Sequence, residues 1–433
     1  SERRTCGWGR IGHNRRSLTR PVAACVRPFA RTPRPCRSTP GKLCLVNIPI
    51  LIPAAITAAC IAAPAVAQSS LVDQSSVDQG VIVITGTRAS ESVRVDQNGA
   101  AITVLDPEAL QQRQTRRVSD VLRDAPGVAV SRVAGQTQVR LRGSKANHVL
   151  VLVDGIEVSD PYSGEFDFGT LPADAAARVE IVRGQQSAVY GSDAIGGVIQ
   201  YITLTGREAP GHTARIEAGS FGTLNGALRA AGVAGDLDYA LSGTLNTTNG
   251  TSNARGGGRD LRDDTGAVSL KTSWIPRPEL RVTAVGRYSR SLADFNDSDN
   301  DPASPDFGLI VDSPGNRIRS EGLYALLRSE LDLLDRRWSH AVTAQVADTA
   351  RDGFDLGGRS YGNVGTRYKG SYETTLRLGD GALRHLLTAA FDAEHERFRN
   401  TDPSGSAFTG SRSNDNFGLV GQYELLLGER GAL

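Results

Sequence analysis

From about residue 213 onward the chain alternates apolar and polar positions in short segments divided by Gly, Asn, Asp and Pro. Examples lie at 213–218, 237–245, 267–274, 280–288, 341–347, 366–378, 386–398 and 417–427. A period of two places alternate side chains on opposite faces, so each segment predicts a strand with one apolar face. About ten such strands are predicted, each near the length a tilted strand needs to cross an outer membrane. A soluble β-sandwich also alternates, so this pattern leaves sandwich and barrel both open.

Residues 101–205 follow a different grammar, that of a small α/β domain. Asp106-Pro107-Glu108 caps a short helix, and Thr115 opens a second whose apolar stripe is Val118, Val121 and Leu122, stopped by Pro126-Gly127. Residues 128–130, 138–141 and 149–153 read as strands, the last ending in the turn signal Asp154-Gly155. Two further β-type runs, 178–182 and 198–203, flank a turn punctuated by Gly191, Gly196 and Gly197. That turn lacks the GxGxxG spacing and the Gly-Lys-Ser/Thr ending of nucleotide-binding loops, and a strand follows it.

The N-terminal part differs again. Residues 1–44 are crowded with Arg, Pro and Cys and show neither period, so they read as disordered or as no part of the native protein. Residues 45–67 read as a signal peptide, an apolar run ending in the small residues Ala65-Val66-Ala67. With no methionine, even at position 1, the sequence reads as a fragment or as a frame opened upstream of the true start. Residues 68–80 are polar, and Val81, Ile82, Val83, Ile84 and Thr85 then form an isolated β-prone run.

Charge and cysteine sharpen this division. Residues 1–67 carry 11 Lys+Arg and one acidic residue, which leaves the remainder at −8 although the whole chain is +2. An acidic body with no basic, aromatic-rich patch argues against nucleic acid as a partner. All five cysteines precede residue 68, which excludes a disulfide or thiolate–zinc framework beyond it.

The phrases SDVLRDAPGV, VRLRG, HVLVLVDG and RVEIVRG, followed by AVYGSDAIGG, occur in that order. They resemble the plug domain of TonB-dependent outer-membrane receptors, and AVYGSDAIGG most resembles the cobalamin-receptor subfamily. The resemblance implies an N-terminal α/β plug domain followed by an antiparallel transmembrane β-barrel. It implies a periplasmic segment at 68–93, a plug at 94–206 and a partial barrel at 207–433. Family barrels have about 22 strands, so the chain reads as C-terminally truncated.

As the resemblance implies, the protein transports rather than catalyses. It takes up a scarce small-molecule nutrient such as cobalamin, or a ferric siderophore, across the outer-membrane lipid. Val81, Ile82, Val83, Ile84 and Thr85 would be the TonB box, adding as a strand to TonB of the inner-membrane motor complex. Arg142 and Arg183 would latch the plug onto glutamates of the barrel wall. Apical loops at 133–137 and 159–166, with Gln136, Thr137 and Tyr162, would meet substrate. No cofactor is required. Calcium is possible at Asp294, Asp297, Asp299, Asp301 and Asp306, although the spacing is not that of an EF-hand.

Catalytic patterns are weak. Gly358-Arg359-Ser360-Tyr361-Gly362 fits GxSxG but sits between predicted hairpin strands, and Arg399 stands where the second histidine after His395-Glu396 would be needed. A secreted β-rich hydrolase and a passive porin are the competing readings.

Overall fold

The computed structural model describes residues 101–432 except 175, 380–382, 403–409 and 428–430, together with the backbone of Val83–Ile84 and Val93–Arg94. The predicted signal peptide, the segment 1–44, and Val81, Ile82 and Thr85 of the predicted TonB box lie outside the described residues.

The plug is built on a five-stranded sheet. Its spatial order is Ala101–Leu105, Ala177–Arg183, Gly197–Thr203, Val149–Val153, Ile156–Glu157. Only Val149–Val153 and Gly197–Thr203 run parallel. The sequence VLVLV makes that placement favourable, because every residue of Val149–Val153 is buried and a strand covered on both faces has no use for alternation. Asp154 and Gly155 take positive φ (50° and 83°), as a tight hairpin turn into Ile156–Glu157 requires.

Helix Pro107–Gln112 is capped as predicted, with the Asp106 carboxylate accepting from the Ala109 N–H at 2.7 Å. The second helix, Val118–Leu122, starts later than predicted. Thr115 is buried ahead of it, and the cap is Arg117, whose N–H donates to the Asp120 carboxylate at 3.3 Å. The glycine-punctuated turn also contains a one-turn helix, Ser187–Tyr190, that its pattern does not announce. Gly197 is fixed there by contact: at φ 143°, a Cβ would lie 2.2 Å from the Val182 carbonyl oxygen.

The rest is one antiparallel sheet of eleven strands in chain order. They are Gly211–Gly219, Thr223–Ala234, Leu237–Thr248, Asp263–Arg277, Leu280–Asp294, Arg317–Leu333, Trp338–Asp355, Gly358–Leu378, Leu383–Asn400, Ser411–Leu427 and Gly431–Ala432. Links at one end are short (235–236, 278–279, 334–337), whereas 249–262 and 295–316 at the other end are long. Alternation sets the two faces. In Arg317–Leu333, Leu323, Leu327 and Leu331 are exposed on the outer face, while Ile318, Ser320 and Tyr324 are buried against the plug. Outer aromatics pair near the short-link end, where His340 Nδ1 and His385 Nδ1 each lie 2.8 Å from a tyrosine hydroxyl, of Tyr372 and Tyr423. Amphipathic rings at that level suit a lipid–water boundary. Among the described residues no helix is long and apolar enough to cross a membrane; the elements suited to crossing are strands.

Plug and wall share a core. Val285, Tyr324, Leu326 and Ala347 of the wall strands join the plug cluster that contains Leu122, Leu141, Phe168, Ile181 and Ile199.

Candidate functional site: the plug–wall interface

One continuous stretch of the plug, residues 154–162, runs along the inner wall and meets four of its strands. The Asp154 carboxylate lies 3.0 Å from Lys271 Nζ, which also donates to the Thr203 carbonyl at 2.7 Å. Glu157 sits 3.2 Å from Arg367 and 3.3 Å from Lys369. Asp160 accepts from Asn363 at 3.1 Å and stands 3.7 Å from Arg351, and Pro161 packs on the wall at Gly365. Tyr162 ends the run, its hydroxyl accepting from Asn400 at 3.2 Å and its ring edge-on to Phe398.

The charges of this stretch are desolvated. Side-chain exposure is 4% for Arg367 and 7% for Glu157. Arg367 further donates to Glu396 at 2.8 Å and to the Ser159 carbonyl at 2.9 Å, and Lys369 lies 3.2 Å from Glu394. Two cations and three carboxylates thus interlock, a geometry in which each charge has a partner and removal of a cation strands buried carboxylates.

A second contact has the opposite polarity. Arg117 of the plug makes a forked pair with the wall's Asp263 at 2.7 and 2.9 Å, joined by Arg132 at 3.1 Å, and Arg116 pairs with Glu217. Burial works against the Arg117 cation, but its bonds and attraction to Asp263 prevail and hold its pKa above the ordinary value.

The predicted latch falls elsewhere. Arg183 donates to the Pro126 carbonyl and, at 2.6 Å, to the Thr103 hydroxyl, so it staples the plug to itself. Arg142 takes φ 49° and uses its backbone N–H on the Gly127 carbonyl at 2.8 Å, with its guanidinium beside Gly184 of the plug. Among the described residues neither pairs with a wall carboxylate. The Arg-Gly phrases mark tight turns inside the plug, whereas wall contacts go through Asp154, Glu157, Asp160, Arg116 and Arg117.

The predicted substrate residues separate. Thr137 is buried, its N–H donating to Asp167 at 2.9 Å. The Gln136 carboxamide, turned with its oxygen toward Arg351, accepts at 2.9 Å. Tyr162 is 43% exposed and is the one of the three that presents an aromatic surface. Gly135, in the hairpin between Val128–Val133 and Gln136–Leu141, fits closely against Ile318 and Phe295 of the wall.

The five loop aspartates do not converge. Asp294 pairs with Arg317 at 2.6 Å and Arg259 at 3.8 Å. Asp297 accepts from the adjacent Ser298 N–H, while Asp299 accepts from the Asp301 N–H and Asp301 from the Ala303 N–H, the latter two each closing a local turn. Asp306 is tied by its own N–H to the Ser304 hydroxyl. Among the described residues no three His, Cys, Asp or Glu side chains group as metal ligands, so in this conformation the loop offers single carboxylates. The residues that order the long loops are Asp312 and Arg259, neither singled out by the sequence. Asp312 accepts from Ser252 (2.8 Å), Asn296 (3.1 Å), the Gly258 N–H (2.8 Å) and the Arg259 N–H (3.2 Å). Those donors, the Gly258 N–H and the Ser252 hydroxyl foremost, hold its carboxyl below the usual carboxylate range. Arg259 donates to the carbonyls of Phe295, Ser313 and Asn316.

Of the catalytic patterns, Gly358 opens a wall strand at φ 110°, and His395, inside Leu383–Asn400, lies 2.7 Å from Asp415 on the next strand. In the predicted TonB box, the described Val83–Ile84 pairs antiparallel with Val93–Arg94.

A small mixed α/β domain docked on an outwardly apolar antiparallel sheet is the architecture of a plugged outer-membrane β-protein. Residues 94–198 match the TonB-dependent Receptor Plug Domain. The chain is 35% identical over 144 residues to the vitamin B12 transporter BtuB of Vibrio vulnificus, covering 33% of this chain and 24% of that protein. It is 38% identical over 133 residues to the vitamin B12 transporter BtuB of Photobacterium profundum, covering 30% and 21%. In structure it resembles the ferric-catecholate import receptor Fiu of E. coli, with a TM-score of 0.59 at 16% identity over 77% of this chain and 58% of that one. It also resembles the ferric enterobactin receptor PfeA of Pseudomonas aeruginosa, with a TM-score of 0.56 at 20% identity over 77% and 57%. The sequence matches span less than a quarter of the curated relatives' length. Residues 94–198 are thus a plug domain of the TonB-dependent receptor type, and the chain shares the fold of the solved receptors, a plug followed by a large antiparallel sheet.

Proposed function

We propose that this receptor takes up a scarce nutrient across the outer membrane, cobalamin being the first candidate, with TonB and its inner-membrane motor supplying the work. The observation that carries this reading is the run 154–162. It joins the apical Tyr162 to the turn at Asp154, so a ligand pressing on the exposed end acts on the same backbone that is ion-paired along the wall. Cobalamin rests on the plug's likeness to the two vitamin B12 transporters. A ferric siderophore is the second reading, motivated by receptors of the same fold that import ferric catecholates. Plug likeness reports the coupling scaffold more than the ligand.

The test is uptake in cells that lack their own receptors, using radiolabelled cyanocobalamin and a ferric catecholate in parallel, with and without TonB. TonB-dependent cobalamin accumulation supports the first reading. Accumulation of iron alone transfers the assignment to siderophores, and accumulation that ignores TonB overturns energy coupling.

A further inference from the structure

Five consecutive wall strands, from Asp263–Arg277 to Gly358–Leu378, place four inward rows in register, the first joining Thr265 to Asn363 and the last joining Lys271 to Lys369. The charged members of these rows are Lys271, Arg287, Arg351, Arg367 and Lys369, and no carboxylate occurs in any of the four. The plug supplies the acids instead. Asp154 lies against Lys271, Glu157 against Arg367 and Lys369, and Asp160 beside Arg351, all within the run 154–162. Arg287 has no such partner. It is 6% exposed, its Nη2 makes no hydrogen bond among the described residues, and its guanidinium stands 5.9 Å from the ring centre of the plug's Tyr201. The wall's own nearby acids are committed elsewhere: Glu396 and Glu394 of the next strand serve Arg367 and Lys369, and Asp263, just beyond the first row, is forked by Arg117.

We propose that this strip is a solute-contact surface masked by the plug: when the run 154–162 leaves the wall, Lys271, Arg287 and Arg351 receive an anionic solute bearing carboxylate, phenolate or phosphate oxygens. The inference deepens the transport reading and rests on it for the movement of that run. The docked plug already displays the occupant. Asp154, Glu157 and Asp160 are carboxylates held on the strip, so their departure opens places that oxyanions have filled. With the run gone, five cations meet only the two flanking glutamates, and a net positive surface remains on a low-dielectric wall that concentrates counter-ions. Arg287 and Arg351 each present a planar fork that takes two oxygens at once, which suits such a solute better than a neutral one.

The absence of cysteine beyond residue 67 provides the test. Ser289→Cys, a buried position two residues from Arg287 on the same strand, is made in the full receptor and purified in detergent without TonB. It is combined with Asp154→Asn, Glu157→Gln and Asp160→Asn, which release the run. Anionic and cationic methanethiosulfonates are reacted with it, peptide mass spectrometry gives the rates, and Phe221→Cys in an exposed turn sets the reference ratio. Release is expected to quicken labelling and to raise the anionic-to-cationic ratio about tenfold over the reference, the scale on which a charged cleft concentrates counter-ions. Adding Arg287→Gln and Arg351→Gln should return the ratio toward the reference, and inorganic phosphate should slow the anionic reagent. Should the combined variant misfold, Ser289→Cys alone is labelled along a urea series, at concentrations that leave the strand signal of the wall unchanged, and the same ratio is read. A reference-like or cation-favouring ratio, or labelling that neither the release nor urea quickens, overturns the proposal. Loss of TonB-dependent uptake with the ratio intact would count against the transport reading alone.

Discussion

Glu157 and Lys369 stand 212 residues apart in the chain and 3.3 Å apart in the fold. Their cluster is unevenly charged, since Glu157, Glu394 and Glu396 outnumber Arg367 and Lys369, and this decides what mutation does. Glu157→Gln leaves Arg367 with Glu396 and Lys369 with Glu394, so every remaining charge keeps a partner, and a loss of about 1–2 kcal/mol is expected. Lys369→Met leaves three carboxylates around one cation and is expected to cost about 3–5 kcal/mol. Urea unfolding of the detergent-solubilised receptor measures both, and the reverse order would contradict this account of the cluster.

Arg183→Ala is expected to loosen the plug internally while sparing its docking. Lost bonds to Pro126 and Thr103 at a half-buried site cost about 1–2 kcal/mol. Hydrogen exchange should quicken at 101–105 and 126–128 and stay unchanged at 154–162. Quickening confined to 154–162 would restore Arg183 to the role of a wall latch.

Gly197→Ala is expected to be the most damaging small substitution in the plug. A Cβ there meets the Val182 carbonyl at 2.2 Å and Leu141 Cδ1 at 2.7 Å on a backbone at φ 143°. Overpacking and strain together cost about 3 kcal/mol or more. Expression in the membrane fraction should fall sharply, whereas Gly143→Ala, with nothing within 4 Å, is expected to suffer only from its positive φ of 78°.

The long loops should separate in acid by way of Asp312. A carboxyl held below its ordinary range contributes order above its unfolded pKa and loses it as pH falls through the lower, folded value. Limited proteolysis at 249–262 is therefore expected to stay slow through neutral and mildly acidic pH and to accelerate only beneath the usual carboxylate range. Asp312→Asn should remove that step and cleave readily at neutral pH.

Val83→Pro is expected to bind substrate at the cell surface and fail to import it, while Val83→Ala imports. Proline removes the main-chain donor and fixes φ, whereas alanine keeps the backbone that a partner's sheet edge would pair. Import by Val83→Pro at the unmodified rate would assign coupling to another segment.

Much of the plug was legible because its strands are short unbroken or alternating runs; VLVLV at 149–153 admits few other placements. Thr115 misled because a threonine before an apolar stripe looks like a cap, yet its side chain is buried and Asp120 does the capping. The wall strands were legible by period, though the pattern stopped short of their polar ends, as where 280–288 extends to Leu280–Asp294. The interface was not. A lysine or arginine in an alternating strand reads the same whether its face meets water or a plug, and Lys271, Arg351 and Arg367 acquire meaning only from partners more than a hundred residues away. One signal was present: Asp154, Glu157 and Asp160, spaced by three directly after a buried strand.

The order of the chain gives the interlocked charges a temporal side. Strands of the large sheet pair only with their sequence neighbours, so the wall grows by local closures that cost little entropy each. Glu157 leaves the ribosome long before Lys369, and Asp154 before Lys271. The carboxylates of the plug must therefore stay hydrated through synthesis and export, and shed that water only when the fourth, seventh and eighth wall strands arrive beside them. Docking is thus a late, concerted dehydration, and assembly intermediates should accumulate with a formed plug whose acidic edge is still wet.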